Sequence, residues 1–432
     1  MTELTEMAGV AEAETQAAYA WALDYDDPDE SPTQPIRQLT SRRITALSLA
    51  ASLVMIAVAG AVMLVMPRAP EPVVAPATPA AVLDGVYRYE YAFESTTVMG
   101  TPLPSPKDDK PEPDPWPRTA WRAFRSTCTP AGCTATSIAL DDKNHQIAST
   151  PLSAGQWRFT NGQWQRPPEK SREKRELCGI VGSEFVPGEQ TLRDESVLTP
   201  QPDGTLRGLL TTTVISSECG SEGMVWRVPY TVTRVGDVSP GLPLADPSTV
   251  SATTTAPAAP VIGPVLDGTY RIDYDSLHVT GVDPADPSAA MNKTVTDNSV
   301  GWAVFQSICT VNGCVAAGTI LDDVNHQESA NPARPMVFRF TEEHWVRNEE
   351  TLLSCGQVNR NRLDVGDDTA QTIKRTTELT LRPDGILGGV QRVVIESNEC
   401  GVRGVVITTP VTATRMGPVS PNIVLADPAL FV

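Results

Sequence analysis

The chain has 432 residues and a formal net charge of −18. Its length exceeds one typical domain, and its acidity excludes a nucleic-acid partner, because phosphate binding needs a basic face. Few aromatic residues and 38 prolines suit β-rich extracytoplasmic modules joined by flexible connectors.

Residues 1–43 read as a disordered acidic cytoplasmic tail, with nine acidic residues set against Arg37, Arg42 and Arg43. A helix over 8–23 would be marginal alone, and Pro28, Pro32 and Pro35 prevent a long one after it. Thr33, beside the acidic run, is a candidate phosphorylation site for a cytoplasmic kinase. Its phosphate would suit an arginine-lined phosphothreonine reader.

Residues 44–66, ITALSLAASLVMIAVAGAVMLVM, carry no charge and are long enough for a transmembrane helix. Three arginines crowd its N-terminal flank, which predicts a single-pass anchor in the cell membrane with the N-terminus cytoplasmic. A cleaved signal peptide fits less well, since its apolar core is shorter and nearer the start. All eight cysteines follow the span, as expected for an oxidising exterior.

A Pro/Ala linker over 67–82 leads to a block at 83–247. A Pro/Thr/Ala linker over 248–265 then leads to a second block at 266–432. The blocks are copies. Leu83-Asp84-Gly85-Val86-Tyr87-Arg88 returns as Leu266-Asp267-Gly268-Thr269-Tyr270-Arg271, and Leu140-Asp141-Asp142-Lys143-Asn144-His145-Gln146 as Leu321-Asp322-Asp323-Val324-Asn325-His326-Gln327. A period this long denotes whole domains in tandem, not solenoid units.

Each copy opens on a strand. Tyr87, Tyr89 and Tyr91 alternate with charged residues, as do Tyr270, Ile272 and Tyr274. Asn161-Gly162 predicts a two-residue hairpin turn, whereas Glu342-Glu343 in the second copy points to a different loop geometry. About eight such strands per copy predict an all-β fold: two antiparallel barrels of lipocalin-like outline, or two sandwiches. Pro229 and Pro410, both mid-strand, argue for an edge or a bulge. Cys128 and Cys133 flank a tight turn, so the expected disulfides are Cys128–Cys133 and Cys178–Cys219, repeated as Cys309–Cys314 and Cys355–Cys400.

The motifs D-G-x-Y-R, S-x-C-T-x-x-G-C, L-D-D-x-N-H-Q, P-D-G-x-L and E-C-G resemble a mycobacterial extracytoplasmic repeat module. That module occurs in membrane-anchored proteins and behind the membrane span of some Ser/Thr protein kinases. The resemblance covers 83–247 and 266–428 and implies a sensor or ligand-binding role in the cell envelope. It supplies no catalytic residue, and no Gly-rich loop, catalytic-loop motif or D-F-G precedes the span.

The remaining chemistry is sparse. Asp141, Asp142, Asn144 and His145, with Asp322, Asp323, Asn325 and His326, have the donors of a divalent-cation site. The same residue types also close turns on their own backbone, and no metal or cofactor is assigned. Trp121, Trp164, Trp226, Trp302 and Trp345 are candidates for lining an apolar cavity, or else the core of small barrels. With no nucleophile or acid–base set legible, the expected function is non-enzymatic. The tandem domains would bind a small apolar or envelope-derived ligand; the alternative is a scaffold working through protein–protein contacts.

Overall fold

The computed structural model describes residues 82–103, 118–130, 132–150, 152–181, 184–250, 263–284, 298–355 and 370–432. The tail with Thr33 and the expected span at 44–66 lie outside these residues. Among the described residues no helix is long and apolar enough to cross a membrane.

The first copy contains β1 (Gly85–Tyr91), β2 (Thr97–Val98), β3 (Thr101–Pro102), β4 (Thr119–Thr129), β5 (Gly132–Ala139), β6 (Ala154–Thr160), β7 (Gln163–Val181), β8 (Glu184–Pro200), β9 (Leu206–Val214) and β10 (Val225–Gly236). Eight of these form one antiparallel meander, β1-β4-β5-β6-β7-β8-β9-β10, and pairing of β10 with β1 closes it into a barrel. The short β2–β3 ribbon hangs from the start of β10.

The second copy contains β11 (Gly268–Tyr274), β12 (Thr280–Val282), β13 (Ser299–Thr310), β14 (Gly313–Ile320), β15 (Pro335–Thr341), β16 (His344–Ser354), β17 (Ala370–Leu381), β18 (Leu387–Ile395) and β19 (Val406–Gly417). It closes the same way through β11 and β19. Both domains are therefore up-and-down barrels; a sandwich would leave these edges unpaired.

The alternation along each strand decides what is inside. Tyr87 and Tyr89 point inward and meet Phe124, whose ring lies 5.7 Å from Trp157. Trp157, Trp164, Phe124 and Leu198 are fully buried. In barrel 2 Tyr270, Phe305, Phe338 and Trp345 occupy the matching interior. Outward-facing Val86, Ala123, Ile138 and Leu140 are covered by the returning chain at Leu242. That chain continues along β5, where Thr136 and Thr134 donate to the Ala245 and Pro247 carbonyls.

Pro229 sits where a missing N–H is harmless. Its carbonyl accepts from Ala92 just past the end of β1, and the β1 partners stop at Tyr230 while the β2 partners begin at Arg227. The proline thus falls in the gap between two ladder segments. Pro410 repeats this, accepting from Asp275. The Glu342-Glu343 turn also differs from expectation. Both residues take left-handed φ values of 51° and 68°, close to the 53° and 80° of Asn161 and Gly162. The strand register dictates the turn type, so the second copy makes the same turn from residues that strain in it.

β7 and β8 outrun the barrel. β8 pairs with β9 only from Leu192 onward, so the preceding residues of the hairpin form a two-stranded arm. Alone such an arm is marginally stable. Cys178–Cys219 ties it to the β9–β10 loop, and Cys355–Cys400 ties the corresponding region of barrel 2. Cys128–Cys133 and Cys309–Cys314 staple the β4–β5 and β13–β14 hairpins at the opposite end.

The barrels also meet. Val98, Met99 and Val225 of barrel 1 share an apolar cluster with Val315, Ala317, Val337, Ala426 and Phe431 of barrel 2. Around it, Arg339 grips Glu222 through two hydrogen bonds of 2.6 and 3.2 Å, and Thr101 meets Ser329 at 2.7 Å. Val424 donates to the Met99 carbonyl at 3.0 Å. Gly100 has φ 94°, and a Cβ there would sit 2.1 Å from the Asn422 carbonyl oxygen, so only glycine fits this approach.

Candidate functional site

The five tryptophans occupy three kinds of surface. Trp164 and Trp345 are buried inside their barrels, each edge-on to a phenylalanine at 5.3 Å. Trp226 packs at the cluster between the barrels. Trp121 and Trp302 face outward. Each stacks on the histidine of its own D-D-x-N-H loop, at 3.6 Å for His145 and 3.8 Å for His326.

Those loops are turns closed on themselves. Asp141 accepts from the backbone of Lys143 and Asn144, Asn144 accepts from Gln146, and His145 bonds the Asp142 carbonyl. Asp322, Asn325 and His326 repeat the pattern. The amides of Asn144 and Lys143 hold the Asp141 carboxyl below its usual range. Among the described residues no three His, Cys, Asp or Glu side chains converge as metal ligands.

The chemically distinctive place is the interior of barrel 1 toward the arm. The residue after Trp121 is Arg122, and strand alternation turns it inward. It donates to the Ser137 and Ser153 hydroxyls at 3.0 Å each. The Trp157 indole donates to the same Ser137 at 3.1 Å. Arg166, two residues after Trp164, also points inward and bonds Glu169 at 2.5 Å. Tyr230 lies over Gly208, where no Cβ would fit, and shares a short hydrogen bond with Ser196.

Tyr89 stacks on Tyr230 with 5.4 Å between ring centres and is only 3% exposed. Its hydroxyl is buried with no hydrogen-bond partner among the described residues, as is Arg166 Nε. Burial pushes the Tyr89 and Tyr230 phenols well up, against the opposing pull of Arg122 and Arg166. Both phenols therefore stay protonated, as donors, throughout the physiological range.

Barrel 2 replaces this chemistry. Strand register places Ile272 at the Tyr89 position, Ala303 at Arg122, Gly318 at Ser137 and Val411 at Tyr230. Arg347 matches Arg166, but Glu349 lies between it and Arg375, 3.3 Å from one and 3.2 Å from the other. Burial opposes the Glu349 charge, yet Arg347 and Arg375 outweigh it and hold the carboxyl below its usual range. A depressed acid stabilises the fold above its unfolded value, about 4.3, and that stability is lost as pH falls through the folded value. Glu349→Gln should lower stability at pH 7 by about 1–2 kcal/mol and flatten the acid limb of a Tm–pH profile, since its side chain keeps 26% exposure. An unchanged acid limb would contradict the assignment.

Comparison with known proteins adds the family. A family model for the PknI serine/threonine-protein kinase sensor domain matches residues 78–249 and again 263–430. The chain belongs to the PknI sensor-domain family. The serine/threonine-protein kinases PknI of Mycobacterium tuberculosis and Mycobacterium bovis are 36% identical to it over 208 residues, 46% of this chain. The match spans only 33% of each kinase's length. Among solved structures, the monomer form of the M. tuberculosis PknI sensor domain is 34% identical and covers 40% of this chain and 99% of its own, with a TM-score of 0.30. The dimer form is 37% identical, covers 34% and 89%, and has the same TM-score.

In the sequence Tyr89 reads only as one residue of an alternating strand, and Arg122 and Arg166 carry no motif. The signal for Arg122 was the alternation itself: on a strand with Trp121 outside, its neighbour must be inside.

Proposed function

We propose that this chain is a single-pass membrane protein of the cell envelope whose tandem PknI-type sensor domains bind an envelope-derived small ligand outside the cell. It would carry no catalytic activity of its own, and barrel 1 would be the binding copy. The observation that carries the reading is the buried Tyr89 hydroxyl left without a partner among Arg122, Arg166 and Tyr230, on a scaffold of a kinase sensor family. Apolar cavity binding draws less support, because the aromatic interiors pack ring against ring.

In this reading the N-terminal tail is cytoplasmic, and Thr33 would pass the signal to a cytoplasmic kinase or a phosphothreonine reader. A scaffold role has one observation in its favour, the apolar wall of barrel 2 that already holds barrel 1. Native mass spectrometry of the full chain, extracted from membranes in neutral detergent, tests the reading. A ligand mass that survives purification and is depleted in Tyr89→Phe is expected. A bare protein mass from every preparation would favour the scaffold.

A further inference from the structure

We propose that barrel 1 recognises an oxyanion, a carboxylate or phosphate group, held by Arg122 and Arg166 and capped by the Tyr89 hydroxyl. The inference rests on the sensor reading above and adds the ligand's chemical class.

Arg122 is bonded to two serine hydroxyls and, among the described residues, to no carboxylate. Arg166 has one carboxylate, but Glu169 is 52% exposed while Arg166 is 20% exposed, and Arg166 Nε remains without an acceptor. The other acid nearby, Asp194, is occupied by the Ser171 and Thr212 hydroxyls. Both arginines act on the Tyr89 phenol, alongside the Tyr230 and Tyr91 phenols. Buried donors ordinarily find acceptors, and one left over costs stability. Here the orphan Tyr89 hydroxyl sits with two guanidiniums, one of which keeps an orphan N–H of its own, an arrangement that one bound oxyanion would satisfy.

Barrel 2 supplies the internal comparison. There the chain provides its own anion, Glu349, between Arg347 and Arg375. The tyrosine and the second arginine have become Ile272 and Ala303. Barrel 2 thus sets its own carboxylate between its two arginines, although Arg375 Nε stays buried without an acceptor; in barrel 1 no carboxylate among the described residues bridges Arg122 and Arg166, which leaves that place for a carboxylate or phosphate from outside.

The test is isothermal titration calorimetry of the full chain in neutral detergent, at fixed ionic strength, with inorganic phosphate and with succinate. The same titrations follow in nanodiscs with and without phosphatidylglycerol. Saturable binding of a soluble probe, or competition of that probe by phosphatidylglycerol, is expected; the first marks a free anion and the second a lipid headgroup. Arg122→Gln should weaken binding by about 10- to 100-fold. Tyr89→Phe, which keeps the packing, should weaken it about three- to tenfold with an unchanged or higher Tm. No binding of any probe, or binding equally tight in both variants, would overturn the oxyanion. A co-purifying mass that persists beside such a negative result would leave sensing intact and remove only this class of ligand.

Discussion

Replacing Cys178 and Cys219 by serine is expected to destabilise barrel 1 more than replacing Cys128 and Cys133. The first pair is 41 residues apart and the second 5. On the chain-entropy model these loops are worth about 4 and about 2 kcal/mol. For a barrel of this size, 4 kcal/mol corresponds to a fall in Tm of roughly 8–16 °C. The difference is sharpened by what each bond holds. Cys128–Cys133 spans a hairpin already paired along β4 and β5. Cys178–Cys219 fixes the arm, whose far residues have no third strand beside them. The arm's amides should therefore exchange first in the Cys178→Ser/Cys219→Ser variant. Differential scanning calorimetry of the two double variants gives the order, and a larger loss from the hairpin pair would contradict it.

The second large effect concerns the contact between the barrels. Val315, Ala317 and Val337 face outward from barrel 2 into the shared cluster. Barrel 1 has Thr134, Thr136 and Gln156 at the corresponding register positions. Giving barrel 2 those residues, as V315T/A317T/V337Q, should leave its interior untouched, because barrel 1 folds with the same set. The junction should weaken by roughly 3 kcal/mol, from lost apolar burial and newly buried hydroxyl and amide groups. Small-angle scattering should show a larger radius of gyration, and calorimetry two transitions in place of one. A compact, singly melting variant would mean that Arg339–Glu222 and the Gly100 approach hold the barrels without the apolar cluster.

Much of the architecture was open to reading. Tyr87, Tyr89 and Tyr91 announce a half-buried strand by alternation alone, and the copy-to-copy matches bound the domains. Sequential hairpins leave barrel and sandwich both open, and it is the pairing of β1 with β10 and of β11 with β19 that makes barrels. The junction stands out only once strand register pairs the copies: Val315, Ala317 and Val337 against Thr134, Thr136 and Gln156 give an apolar outer wall in one copy only. The candidate site was less accessible. Tryptophans draw attention as cavity residues, yet Trp121 and Trp302 are outside, and the inward chemistry belongs to the adjacent Arg122. That Tyr89 lacks a partner depends on side chains from five strands, which no local pattern encodes. The role of Glu349 likewise emerges only when β16 and β17 bring Arg347 and Arg375 to it.

Barrel 1 should receive a ligand, whereas barrel 2 already holds a carboxylate of its own, Glu349, between Arg347 and Arg375. Amide hydrogen exchange of the full chain, with and without saturating phosphate, tests it most directly. Added protection at the Tyr89–Tyr91 end of β1, at Arg122 on β4 and around Arg166 on β7, with the matching segments of barrel 2 unchanged, is the predicted result. Protection confined to barrel 2, or equal in both barrels, would contradict it.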